Sequence, residues 1–124
     1  MNLSNTTILV VEDDYLSWKL IEKILQPTNA QLLFVQNGND ALQYFNDDTH
    51  KINIILLDIQ LPGINGYEVA KEIRKIDKKI IIIAQTAYAL TGDKEKALKA
   101  GCNDYITKPI KKDMLFTVLK KNIG

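Results

Sequence analysis

The chain has 124 residues, 46% of them hydrophobic and 25% charged, with a formal net charge of +1. That length suits one domain spanning 1–124 around a single core, and the balance argues against disorder and against any strong pull toward nucleic acid or a membrane surface. No apolar stretch approaches a membrane span, and a lone cysteine, Cys102, with no leader-like start leads to the expectation of a reducing, cytoplasmic setting.

After a polar lead-in, Thr7 to Val11 (TILVV) is an unbroken β-branched and aliphatic run that ends on Glu12, Asp13 and Asp14. Such runs read as strands buried on both faces, which belong mainly to parallel sheets. From Tyr15 to Gln26 the residues Leu16, Leu20, Ile21, Ile24 and Leu25 recur at helical spacing, with Asp14 as the cap and Pro27 as the stop. Taking Leu16, Leu20 and Ile24 as the inner face leaves Trp18 and Tyr15 pointing largely away from it. Trp18 then either packs on Leu25 or a neighbouring loop, or helps to dock a helical, histidine-bearing partner; both readings stand at this point.

Gln31 to Val35 is the next strand, Asn37-Gly38-Asn39 reads as a turn, and Asp40 to Asn46 as a short helix burying Leu42 and Phe45. His50 is expected in solvent. The stretch Ile52 to Gly66, INIILLDIQLPGING, is a third buried run that stops abruptly at Asp58 and turns through Leu61-Pro62-Gly63. Asn65 can cap a helix whose inner face carries Val69, Ala70, Ile73 and Ile76. Ile80 to Ala84 leads into Thr86-Ala87, and Asp93 to Ala100 looks helical, stopping at Gly101. Tyr105-Ile106-Thr107 is a short last strand that runs into Lys108-Pro109, and a helix from about Lys111 to Lys121 buries Leu115, Val118 and Leu119. Five alternations of strand and helix predict a parallel sheet covered by helices, joined by right-handed crossovers.

In a parallel sheet all carboxyl ends lie on one edge, so Glu12, Asp13, Asp58, Thr86 and Lys108 converge there. Three crowded carboxylates call for a compensating cation, and a hard divalent ion with oxygen ligands is the natural one. Magnesium suits a few carboxylates plus waters and a phosphate better than calcium does, while zinc is disfavoured because His50 and Cys102 lie elsewhere. A carboxylate beside such an ion can accept a phosphoryl group, for which the Thr86 hydroxyl, the Ala87 backbone N–H and the Lys108 ammonium could serve as donors.

Taken together, Val11-Glu12-Asp13-Asp14, Leu57 to Gly66 (LDIQLPGING), Thr86-Ala87 and Tyr105-Ile106-Thr107-Lys108-Pro109 resemble the receiver domain of two-component response regulators. The resemblance implies a doubly wound, flavodoxin-like (βα)5 fold of class α/β, with strand order 2-1-3-4-5 and helices on both faces. It implies phosphorelay signalling rather than turnover catalysis: Asp58 as acceptor from a phosphohistidine, Asp13 as a direct magnesium ligand and Glu12 as a helper through water. Gln60 would lend its backbone carbonyl to the metal, and manganese could substitute for magnesium. Lys108 would pair with the phosphoryl group, Thr86 and Tyr105 would act as the switch, and the Lys108-Pro109 bond would be cis. Tyr88 and Gln60 would flank the phosphoryl group and set its lifetime.

The implied partners are a histidine kinase or a histidine phosphotransfer domain, docking on the first helix near Tyr15 and Trp18. A dimer through the fourth helix, last strand and last helix is also implied, with no direct contact to nucleic acid or membrane. Gln60-Leu61-Pro62 and the stretches Ala87 to Asp93 and Ala100 to Tyr105 look most like receivers of hybrid sensor histidine kinases, so the chain is expected to be excised from such a protein. A stand-alone response regulator is the alternative. An aspartyl-phosphate phosphatase is a weaker rival, since the acid such enzymes carry two residues after the nucleophile is here Gln60. Glu12 and Asn65 depart from the family's commoner Asp at those positions.

Overall fold

A computed structural model describes residues 1–46, 51–87 and 92–123. The elements are β1 (Thr7–Val11), α1 (Tyr15–Leu25), β2 (Gln31–Val35), α2 (Gly38–Asn46), β3 (Ile54–Asp58), α3 (Gly66–Ile76), β4 (Ile81–Thr86), α4 (Asp93–Lys99), β5 (Asp104–Thr107) and α5 (Lys112–Ile123). All strand pairs are parallel, and the order across the sheet is β2-β1-β3-β4-β5. This is the expected doubly wound fold.

Because strand side chains alternate, each strand feeds two cores. Leu9, Val11, Ile55, Leu57, Ile82 and Ala84 meet the α2, α3 and α4 side through Ala41, Val69, Ile73 and Ala97. Ile8, Val10, Ile54, Leu56, Ile83 and Ile106 meet α1 and α5 through Ile21, Leu25, Leu115 and Leu119. The central strand β3 is buried along its whole length. Each fully covered Ile or Leu there contributes about 1.5–3 kcal/mol.

Local signals account for the ends. Asp14 accepts a hydrogen bond from the Ser17 backbone N–H at 3.2 Å and opens α1, and Asn65 does the same for α3 from Glu68 at 3.0 Å. Gly101 (φ +105°) closes the turn after α4, as its sequence position predicts. The Lys108-Pro109 bond is cis.

Several expectations need correction. On α1 the inner face is Ile21, Ile24 and Leu25 together with Trp18, whereas Leu16 is 75% exposed and Leu20 39%. The helix carries two apolar stripes, and burying the four-residue one, an arc of about 120° that includes the indole, removes more apolar surface from water than burying Leu16 and Leu20 would. Trp18 packs on Phe34, ring centroids 5.3 Å apart.

On α2, Gly38 and Asn39 belong to the helix rather than to a turn. Asn37 caps it, its Oδ1 accepting from the Asp40 N–H at 2.8 Å. Leu42 and Phe45 are only half-buried, as is Val118 on α5. Ile76 is 52% exposed, because the last turn of α3 overhangs the amino edge of the sheet. His50 and Tyr88 lie outside the described residues.

Candidate functional site

The carboxyl edge of the sheet gathers the groups that the sequence sends there. Glu12 follows β1, Asp58 ends β3, Thr86 ends β4, and Lys108 follows β5. Glu12 is fully buried, Asp58 2% exposed and Thr86 6% exposed, so this is a polar site built into the core rather than laid on the surface.

Lys108 Nζ lies 2.8 Å from Asp58 Oδ2 and 2.7 Å from Glu12 Oε1. The first is a directed hydrogen bond and the second a charge contact without hydrogen-bond geometry. Asp58 Oδ1 accepts from the Gln60 backbone N–H at 2.9 Å, and Glu12 Oε2 from Asp14 N–H at 3.2 Å.

Carboxylate oxygens of Glu12, Asp13 and Asp58 lie within 4.8 Å of one another. Burial, with Asp58 nearby, pushes the Glu12 carboxyl up to about 7 against the pull of Lys108. Burial by itself would lower Lys108, but the hydrogen bond to Asp58 and the negative charge of Asp58 and Glu12 outweigh it and hold the ammonium above its ordinary range. Three carboxylates against one ammonium leave an all-oxygen donor set short of positive charge, the chemistry that fits magnesium.

Two backbone devices hold these groups in place. Gln85 C=O accepts from Ile59 N–H at 3.0 Å, and Thr86 C=O from Lys108 N–H at 2.8 Å, so the end of β4 ties down the residues after Asp58 and before Pro109. Gly66 is pressed against the acceptor: a Cβ there would sit 2.6 Å from both Asp58 O and Ile59 Cα. Its role is close packing on Asp58, beyond the helix start read from sequence.

Thr86 and Tyr105 share the other face of the sheet, since Ala84 pairs with Tyr105 and Thr86 lies two residues on. The Ala87 backbone follows directly. Of the two docking residues named from sequence, Tyr15 is 61% exposed, whereas Trp18 is turned inward. Lys19 Nζ covers the Tyr15 ring at 5.6 Å. Cys102 is buried, and that burial pushes its thiol up to about 12, consistent with an unreactive packing residue. A wide groove lined by Tyr44, Phe45, Ile76 and Lys78 opens near the amino edge of the sheet, away from the acids.

One residue at this edge escaped the sequence reading. Gln85 is fully buried in register with Asp58. The available signal was a single amide breaking the aliphatic run of Ile80 to Ala84 one residue before Thr86.

Residues 8–120 match the family described as the response regulator receiver domain. The chain is 37% identical over 123 residues to hybrid signal transduction histidine kinase I of Dictyostelium discoideum, covering 94% of this chain but 7% of that protein. It is 34% identical over 120 residues to the polar-differentiation response regulator DivK of Brucella anthropi, covering 95% of this chain and 96% of that one.

Among solved structures, it is similar to the receiver domain of the sensor histidine kinase PA1611 of Pseudomonas aeruginosa, with a magnesium ion coordinated in its active site cleft (TM-score 0.85, 36% identity, 96% and 98% of the two chains). It is also similar to the complex of the Saccharomyces cerevisiae histidine phosphotransfer protein Ypd1 with the receiver domain of Ssk1 (TM-score 0.81, 32% identity, 94% and 85%). With its fold, its acidic edge and these likenesses in agreement, the chain belongs to the response regulator receiver domain family.

Proposed function

We propose that this domain relays a signal by accepting a phosphoryl group on Asp58. A carboxylate oxygen of Asp58 attacks the phosphorus of a phosphohistidine, the P–N bond breaks, and the electron pair leaves with the imidazole. The observation that carries this reading is the Lys108 ammonium bridging Asp58 and Glu12 within a cluster of three carboxylates.

Glu12, Asp13, Asp58 and the Gln60 backbone carbonyl would hold magnesium, or manganese in its place, and the ion when bound supplies charge compensation to the phosphoryl oxygens. Lys108 pairs with the incoming group, and the Thr86 hydroxyl and Ala87 N–H donate to its oxygens. The new charge biases a two-state shift of Thr86 and Tyr105, which share one face of the sheet, and so alters the surface of α4, β5 and α5. That surface is also where a dimer would form. The same residues would support slow self-dephosphorylation, with Tyr88 and Gln60 setting the access of water.

The phosphodonor is a histidine kinase or a histidine phosphotransfer domain. With Trp18 turned inward, we place its docking patch at Tyr15, Leu16 and Leu20, all exposed on α1. The likeness to a hybrid kinase over 7% of its length favours a module of a larger protein, and the end-to-end likeness to DivK favours a stand-alone regulator.

Incubation with magnesium and acetyl phosphate, followed by intact mass, tests the core of this reading. One phosphoryl group gained by the parent chain and absent from Asp58→Asn is expected. No gain at any magnesium concentration would refute it.

A further inference from the structure

Beneath the acidic edge lies a polar group that the phosphoacceptor reading leaves without a job. Gln85 is fully buried, and among the described residues neither its Oε1 nor its Nε2 has a hydrogen-bond partner. An unpaired buried amide costs about 1–3 kcal/mol, and a native core rarely keeps such a group without a use for it. The position is otherwise one for an aliphatic residue, since Ile81 and Ile83 precede it on the same side of β4.

Register shows what surrounds it. Asp58 on β3 pairs with Gln85, and Gln85 pairs with Ile106 on β5. Side chains alternate, so Glu12, Asp58, Gln85 and Lys108 each continue the row on the α1 and α5 face, above Val10, Leu56, Ile83 and Ile106. Lys108 leaves the end of β5 and places its Nζ on Asp58 and Glu12, beyond β3. Its stem therefore passes over the carboxyl end of β4, on the face of the sheet where Gln85 lies. The ammonium donates to Asp58 and lies in charge contact with Glu12, and the strand crossed carries a buried amide oxygen with no hydrogen-bond partner among the described residues.

We propose that Gln85 is a positioning residue for phosphoryl transfer, its Oε1 providing Lys108 with a neutral acceptor when the ammonium leaves Glu12 for the phosphoryl group. In the unphosphorylated domain the two buried carboxylates hold Lys108 and the amide waits unpaired. Once Glu12 turns to a cation and Asp58 becomes an acyl phosphate, Lys108 loses carboxylate acceptors. A neutral oxygen from the floor of the site then orients the ammonium without neutralising the charge it must present to the phosphoryl oxygens. An acid at position 85 would compete for that charge, and an aliphatic residue would leave the ammonium to find its own geometry. This inference rests on the phosphoacceptor reading above.

The test is a double-mutant cycle between Gln85→Met and Lys108→Met, read as the rate of Asp58 phosphorylation by acetyl phosphate and as the thermal midpoint, with Lys108→Ala as the background if Lys108→Met does not fold. Gln85→Met keeps length and removes the unpaired amide, so its thermal midpoint is expected to hold or rise. Phosphorylation is expected to slow about tenfold, the worth of one hydrogen bond to a charged group. In the Lys108→Met background the same change is expected to cost less than about twofold, because the effect acts through the ammonium.

A rate within about twofold of the parent would overturn the proposal, as would an equal loss in both backgrounds. A lowered midpoint for Gln85→Met would also overturn it, by showing that the amide is already bonded at rest. Failure of the parent chain itself to be phosphorylated would instead refute the phosphoacceptor reading, so the two failures are distinguishable.

Discussion

The Glu12 carboxyl couples stability to pH in a way that can be measured without any phosphodonor. Folding moves it from solvent, where its ordinary value is 4.5, into a fully buried position beside Asp58, where it titrates at about 7. A group raised in this way binds its proton more tightly in the folded state. Its contribution is therefore fully present below pH 4.5 and is lost as pH rises through about 7.

Integrated over that window the effect is at most about 3 kcal/mol, which for a domain of this size is a fall of roughly 10 °C in thermal midpoint. Lys108, also raised, titrates above this window, and the comparison with Glu12→Gln isolates the part of the slope that Glu12 supplies. Scanning calorimetry in a chelator, from pH 5 to pH 8, is the assay. The parent chain should lose stability as pH rises, and Glu12→Gln should flatten the curve and be the more stable of the two at pH 8. Added magnesium, which needs the ionised carboxylate, should reverse the parent's slope. Equal slopes in the parent and Glu12→Gln would refute the reasoning.

Gly66→Ala puts a Cβ 2.6 Å from backbone atoms of Asp58 and Ile59, and since neither can yield as a side chain would, it should cost about 1–3 kcal/mol and slow Asp58 phosphorylation together. Leu16→Asp should weaken transfer from a histidine-bearing partner while sparing the acetyl phosphate rate, and Trp18→Phe should spare both; the reverse pattern would return the docking surface to the indole. Arg74 donates to Gly101 O at 2.7 and 3.1 Å, to Ile80 O at 2.8 Å and to Asn103 Oδ1 at 2.9 Å. Arg74→Ala strips several partly buried acceptors at once, so it should lower stability by about 2–4 kcal/mol in urea unfolding. Cys102, buried and with its thiol pushed up to about 12, should resist alkylation in the folded domain and react on unfolding.

How much of this was legible in sequence depends on the range of the interaction involved. Buried runs such as Ile54 to Leu57 announce themselves, because a parallel strand covered on both faces tolerates little else. Caps such as Asp14 and Asn65 are local and equally readable. The rotation of α1 was not, since Leu16, Leu20 and Ile24 are as good a helical stripe as the one chosen. Only the competing gain from Trp18 against Phe34 on β2 decides between them. Gly38 misled for the same reason. In sequence it looks like a turn, while in space it admits α3 and the loop before it, where a Cβ would run into the side chains of Val69 and Ile64. The ion pairs from Lys108 to Asp58 and Glu12, over 50 residues and more, were readable only because the order of a doubly wound sheet dictates which strand ends meet.

That dictation also explains how so much unfavourable polarity is tolerated at one edge. Glu12, Asp58 and Gln85 are all buried, and each stands directly above fully covered aliphatic residues of its own strand: Val10, Leu56 and Ile83. The rows below determine strand spacing and register regardless of what sits on top, so the edge residues are held together by packing that they do not supply. Removing their polarity should therefore stabilise the fold and damage the chemistry, the pattern expected of a site whose geometry is imposed by its scaffold. The opposite pattern, in which Glu12→Gln and Gln85→Met weaken the fold, would mean that the edge carries structural weight of its own.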